Sequence, residues 1–160
     1  MDREQLISEI KDAFRGVTLE DGVSLNMCKY KDSGGSAKKY LELAKNDERN
    51  DWTALLEGDL LTRFQVTFSF TDGKGFRFYL PAYMIWSLRN FENSDAYIID
   101  GTVYGINSEF RKDIKNLLSE QQLAVAEKFL EFAVTHERFD SKIASENLEK
   151  LRNIKNMKER

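Results

Sequence analysis

The sequence is poor in the residues that build metal sites and cross-links: its 160 residues include one cysteine, one histidine and one proline. Cys28 has no second thiol to pair with, which excludes intramolecular disulfides and cysteine-based zinc sites. His136 has no second histidine with which to complete a metal site. We therefore expect no metal, no cofactor and no catalytic residue of these kinds, and a free thiol fits a reducing compartment.

Long apolar runs are also missing, since none approaches the about 20 residues that a membrane-spanning helix needs. The charged N-terminal residues 1–5 do not resemble a signal peptide. These features predict a cytoplasmic protein that does not bind membranes. The net charge of −3 argues against nucleic-acid binding, because phosphate contacts need a basic surface. The oligomeric state stays open.

Charge is distributed unevenly along the chain. Residues 149–160 carry five Lys or Arg against two Glu, a net of +3, and this pattern predicts a solvated helix end, with contact to an acidic partner as the alternative. An acidic run in the first half has no calcium-loop spacing, so it is either a solvated loop with a helix cap or a docking face for a basic partner. This run comprises Asp47, Glu48, Asp51, Glu57 and Asp59.

The composition is that of an ordinary globular protein, with 41% hydrophobic and 32% charged residues. No internal repeat, low-complexity segment or long linker divides the chain. We therefore predict a single globular domain over residues 1–160, in which residues 140–160 form a peripheral C-terminal helix.

Apolar residues at helical spacing predict five helices. One begins at Pro81, whose fixed φ suits a first helical turn. Another begins at Ser119, which forms a capping box with Gln122. The predicted helices cover about 2–15, 36–48, 81–90, 119–135 and 140–157.

Strict alternation of apolar and polar residues predicts a strand from Phe64 and a return strand ending at Leu80. The turn between them would be Asp72–Gly75, because its glycines accept the positive φ of hairpin turns. The predicted fold class is therefore α+β, a mainly helical domain packed around a central antiparallel β-hairpin at about 64–80. Residues 97–104 suggest a second small hairpin around an Asp-Gly turn.

The candidate binding residues cluster on this predicted hairpin. Arg77 and Tyr79 would project from its second face, where Tyr and Arg are typical of binding hot spots. With Tyr83 and Asp72 they would supply the polar groups of a pocket beside the 81–90 helix, and Trp52 is a further candidate. Two functions follow: a non-catalytic protein-interaction module of the immunity or adaptor type, which we favour, or a small-molecule binder or enzyme using that pocket.

Four segments between residues 10 and 132 resemble, in the same order, a bacterial family of small uncharacterised single-domain proteins that is known only as a domain of unknown function. The most specific is the string Phe76-Arg77-Phe78-Tyr79-Leu80-Pro81-Ala82-Tyr83-Met84. The chain departs from the family pattern in its glycine-rich 32–36 loop and its long charged C-terminal helix. The resemblance implies one domain of bacterial origin and brings no activity or ligand.

Overall fold

The computed structural model describes residues 1–158, and within that range all regular secondary structure is helical. The last two residues of the predicted peripheral segment 140–160 lie outside the described residues. Two short 3₁₀ helices cover Trp52–Leu56 and Leu60–Arg63. The α-helices are α1 (Arg3–Ala13), α2 (Leu25–Asp32), α3 (Lys39–Ala44), α4 (Thr67–Phe70), α5 (Gly73–Asn90), α6 (Ile98–Gly105), α7 (Ile114–Leu117), α8 (Glu120–Val134) and α9 (Ser141–Lys158).

Helix α5 is the centre of the fold. Twelve of its eighteen residues are buried, and it contacts α1, α6, α7 and the first 3₁₀ helix. Asp72 caps its N-terminus by accepting a hydrogen bond from the Gly75 amide at 2.9 Å. A second bond, from the Val23 amide at 3.0 Å, fastens the loop before α2 to the same carboxylate.

The predicted hairpin at 64–80 is wrong, and so is the α+β class. Its first strand is a short loop followed by α4, and its turn and return strand are the first half of α5. Gly73 and Gly75 are not among the glycines with positive φ, so they are helical residues rather than turn residues. A helix buried on nearly every side shows no polar face, so its pattern lacks the 3.6-residue signal and its aromatic residues mimic a strand.

Other boundaries shift for related reasons. Pro81 lies inside α5 rather than at a helix start. The predicted hairpin at 97–104 is helix α6, and the predicted 36–48 helix is shortened to α3. Residues 25–32, which lie outside the predicted helices, form α2.

The helices with strong end signals are found where the sequence places them. Helix α1 begins after the Asp2 cap, and α8 begins after Ser119 with both bonds of the capping box present. The C-terminus of α1 is held by two buried side chains: Trp52 Nε1 donates to the Phe14 carbonyl at 2.8 Å, and Gln122 Nε2 donates to the Ala13 carbonyl at 3.1 Å.

The buried side chains of these helices form a continuous hydrophobic cluster. Helices α8 and α9 pack along each other, while α1 lies against α8 and α5. Helix α6 contacts α5, α9 and α4, so it connects the α8–α9 pair to the central helix α5. None of the helices described is both long and apolar enough to cross a membrane.

Candidate interaction groove

The predicted site residues Arg77 and Asp72 hold the loop before α2. Arg77 pairs with Glu20, its side chain is 26% exposed, and it lines a shallow surface depression. Asp72 uses its carboxylate for the α5 cap and the Val23 amide. The neighbouring Lys74 pairs with Asp21, so the loop is fastened to α5 at three places.

Tyr79 and Tyr83 lie in the core, at 0% and 1% exposure. Tyr83 donates its hydroxyl proton to the Phe64 carbonyl at 2.5 Å and lies 2.8 Å from the Thr67 hydroxyl. Burial raises the pKa of both phenols, so both are neutral. The Tyr83 contacts fix the short segment 64–67 in front of α4, which forms one wall of the groove described below.

Trp52 is 3% exposed, and its indole N–H donates a hydrogen bond to the Phe14 carbonyl at the C-terminal end of α1. Three carboxylates of the acidic run around it are used locally. Asp47 accepts from the Asn26 backbone and side chain, Glu48 accepts from three consecutive backbone amides, and Asp51 caps the first 3₁₀ helix. These bonds support the solvated-loop interpretation of the run.

A groove of about 280 Å³ lies between the 65–69 segment and α6, closed at one end by the 107–110 loop. Its rim is apolar and exposed: Val66 is 40% exposed, Tyr97 47%, Tyr104 37% and Phe110 65%. Only three other large apolar side chains are exposed among residues 1–157, namely Met1, Leu43 and Met157. Exposed apolar area is therefore concentrated in this groove.

Two glycines of α6 allow the groove walls to approach the helix closely. A Cβ atom at Gly105 would lie 2.8 Å from the Phe68 ring, and one at Gly101 would lie 2.9 Å from the Tyr97 ring. Real Cβ atoms do not make such contacts, so the side chains at 68 and 97 pack in places that only glycine leaves free.

Phe110 is held at the end of the groove by the residues on either side of it. Asn107 Oδ1 accepts from the Glu109 and Phe110 amides at 2.9 and 3.4 Å, which shapes the loop. The next residue, Arg111, is buried, donates to the Phe68 carbonyl at 2.6 Å, and lies 5.3 Å from the Phe110 ring centroid. Burial lowers the pKa of Arg111 to about 10, so it remains charged at neutral pH.

Tyr104 is fixed on the opposite rim. Its hydroxyl donates to Asp140 Oδ2 at 2.8 Å, and this bond raises the pKa of Tyr104 to about 12. Its ring lies 6.2 Å from that of Tyr97, at an interplanar angle of 55°. The two rings therefore form a preorganised aromatic surface on this rim.

No Asp, Glu, Lys, Arg or His side chain of the described residues lines the groove. Its polar residues are neutral, comprising Gln65, Ser69 and Asn107. No group of three His, Cys, Asp or Glu side chains in the described part of the chain is arranged to hold a metal ion. Cys28 is buried, and burial raises its pKa to about 12, which disfavours the thiolate needed for nucleophilic chemistry.

Sequence reasoning missed the groove because it assigned residues 97–104 to strands. On a helix, Tyr97, Gly101, Tyr104 and Gly105 follow the spacing i, i+4, i+7, i+8 and share one face. Phe110 carried a second signal, an aromatic residue isolated between Glu109 and Arg111 in a polar stretch. A helical assignment would have placed these aromatic residues together.

The model of a family of unknown function, DUF6714, matches residues 2–154 of the chain. No curated protein and no solved structure matches it. The chain therefore belongs to this family of unknown function, as the resemblance predicted. The specificity of the 76–84 string and the bacterial origin stay predictions.

Proposed function

We propose that this member of the family is a non-catalytic protein-interaction module, and that it binds a partner protein in the groove between the 65–69 segment and α6. The observation that carries the proposal is the concentration of exposed Val66, Tyr97, Tyr104 and Phe110 around a single concavity. Aromatic side chains in a concave, preorganised setting are typical of interface hot spots.

The groove fits one or two bulky apolar side chains of a partner. Its volume of about 280 Å³ is just below the range of about 300–1,000 Å³ that is typical of small-molecule pockets. Its rim is held by internal contacts, namely Tyr104 on Asp140 and the turn formed by Asn107. The site is therefore already formed before a partner binds. Binding would cost little additional ordering entropy on the groove's side.

The alternative, a small-molecule or enzyme site beside the 81–90 segment, has less support. The hairpin that was to form one wall is absent among the described residues, and Tyr79 and Tyr83 are packed in the core. The immunity or adaptor role and the cytoplasmic location stay predictions of the sequence.

Selection from a random peptide library displayed on phage tests the proposal. Binding peptides are expected to carry bulky apolar anchors. The substitution Phe110→Ser should weaken their binding by at least about fivefold, since truncating a hot-spot aromatic costs more than about 1 kcal/mol. Met157→Ser is the matched control, because Met157 is 64% exposed and Phe110 is 65% exposed.

The control should bind the selected peptides as the wild type does, within about twofold. Both substituted side chains are exposed, so both variants are expected to fold. Recovery of no peptide, or of peptides that bind Phe110→Ser and the wild type equally, would contradict the proposal.

A further inference from the structure

The surface around the α2–α3 connection is basic although the whole chain is acidic. Residues 29–45 contain five lysines against one aspartate and one glutamate, a net of +3 in a chain of net charge −3. Lys31, Lys38 and Lys39 are exposed, and so is Arg63, which lines a small cleft together with Lys29. We refer to Lys29, Lys31, Lys38, Lys39 and Arg63 as the lysine patch.

No member of the lysine patch forms an ion pair within the described residues, although Asp32 lines the same small cleft as Lys29 and Arg63. Lys29 lies over the Tyr40 ring at 5.5 Å and over the Phe64 ring at 4.6 Å, and Lys39 lies over Tyr40 at 5.2 Å. Lys31 and Lys38 have no ion pair with any carboxylate of residues 1–157. The patch therefore projects positive potential into solvent.

The other basic segment behaves differently. On α9, Arg152 pairs with Glu127 and Glu131, Lys155 pairs with Glu127, and Lys150 pairs with Glu109. The positive charge of the basic C-terminal segment is thus largely neutralised by ion pairs within the fold. The lysine patch, in contrast, groups several cations that have no ion-pair partner among the described residues.

Two members of the lysine patch, Lys29 and Arg63, lie beside the groove. Lys29 sits on the Phe64 ring, and the next two residues, Gln65 and Val66, line the groove. The same two residues also line a small cleft of about 90 Å³ whose other side includes Lys29, Asp32 and Arg63. A bound segment that leaves the groove past Val66 therefore meets cations.

We propose that the partner segment bound in the groove is acidic, and that its carboxylates lie on the lysine patch while its apolar side chain fills the groove. This inference rests on the proposed function and names the class of partner. Complementary charge at an interface raises the association rate and selects among partners.

An acidic protein segment fits the patch better than a nucleic acid or a membrane does. Lys29 and Lys39 both lie over the Tyr40 ring, so this ring is already engaged by cations rather than presented for stacking a base. Extended polyanions would also meet the remainder of the chain, which carries a net of −6 once the +3 of residues 29–45 is set aside. A short acidic segment covers the patch alone.

The test uses a labelled Glu-rich peptide with a central Phe-Leu pair, and the same peptide with every Glu replaced by Gln. The Glu peptide should bind more tightly, and its affinity should fall as salt rises. The double substitution Lys31→Gln/Lys38→Gln should weaken it about fivefold, or ~1 kcal/mol. Lys11→Gln/Arg89→Gln removes the same charge from exposed cations elsewhere and should leave affinity within about twofold.

The outcomes separate this inference from the proposed function. If both peptides bind equally and Phe110→Ser abolishes both, the groove function stands and the acidic partner is refuted. Equal behaviour of the two double variants, or no binding of the Glu peptide, also refutes it. Oligouridylate or phosphatidylserine vesicles binding more tightly than the Glu peptide, with loss in Lys31→Gln/Lys38→Gln, would assign the patch to a polyanion instead.

Discussion

Gly75 would have different structural roles in a hairpin turn and in a helix. In a hairpin turn it would supply positive φ, whereas in α5 it allows the loop before α2 to touch the helix. A Cβ atom there would overlap the Thr71 hydroxyl and come within 2.9 Å of the Val23 carbonyl. Thr71 itself donates to that carbonyl at 2.8 Å, so neither neighbour is free to move.

The substitution Gly75→Ala is therefore expected to destabilise the protein by about 2 kcal/mol through overpacking. An ordinary Gly-to-Ala change inside a helix stabilises by up to about 1 kcal/mol. Gly73→Ala is the matched control, since a Cβ there meets its nearest atoms at 3.4 Å. Urea unfolding followed by tryptophan fluorescence measures both, and equal midpoints for the two variants would contradict the close approach.

Helix ends were predictable from the sequence where a cap stands beside a clear apolar stripe. Asp2 and Ser119 announce α1 and α8 because a capping side chain and a 3.6-residue pattern agree there. Helix α5 was not predictable in this way, because its Asp72 cap precedes two glycines and a helix buried almost all round. Local pattern cannot distinguish such a helix from a buried strand.

The α8–α9 pair makes a second testable case, centred on Glu127. Its side chain is 17% exposed. Burial alone would raise the pKa of Glu127, but hydrogen bonds from Lys155 and Arg152 outweigh burial and lower the pKa below 4.5. A carboxyl with a lowered folded-state pKa stabilises the fold above its unfolded-state pKa and loses that contribution as pH falls.

Glu127→Gln should therefore reduce the free energy of unfolding by about 1 kcal/mol at pH 7. The difference from the wild type should shrink as pH falls through 4.5 and disappear below the folded-state pKa. Glu131→Gln, at 47% side-chain exposure and with Arg152 as its ion-pair partner, should cost less. A difference between Glu127→Gln and wild type that stays constant from neutral to acid pH would contradict the account.

At the scale of the whole molecule, the two basic segments differ in whether their cations form ion pairs. Cations on α9 form ion pairs with carboxylates of α8 and with Glu109. The cations of the lysine patch have no ion-pair partner among the residues described. Composition alone could not separate these two segments, because each carries a net of +3. Which carboxylates a basic segment meets depends on tertiary packing.

The sequence did not predict the candidate site, because the site also depends on tertiary packing. Tyr79 and Tyr83 share a segment with Arg77 and Asp72, yet the first two are core residues and the other two fasten a loop. The groove instead joins residues some forty positions apart, around Val66 and Phe110. Only the packing of α4 on α6 brings them together.

Hydrogen exchange of the protein, alone and with a display-selected peptide, tests the central claim most directly. The account predicts slower amide exchange at residues 65–69 and 97–110, with α1 unchanged as an internal reference. Protection confined to α1 or to the Arg77–Tyr83 part of α5, with exchange around Val66 and Phe110 unaltered, would contradict it.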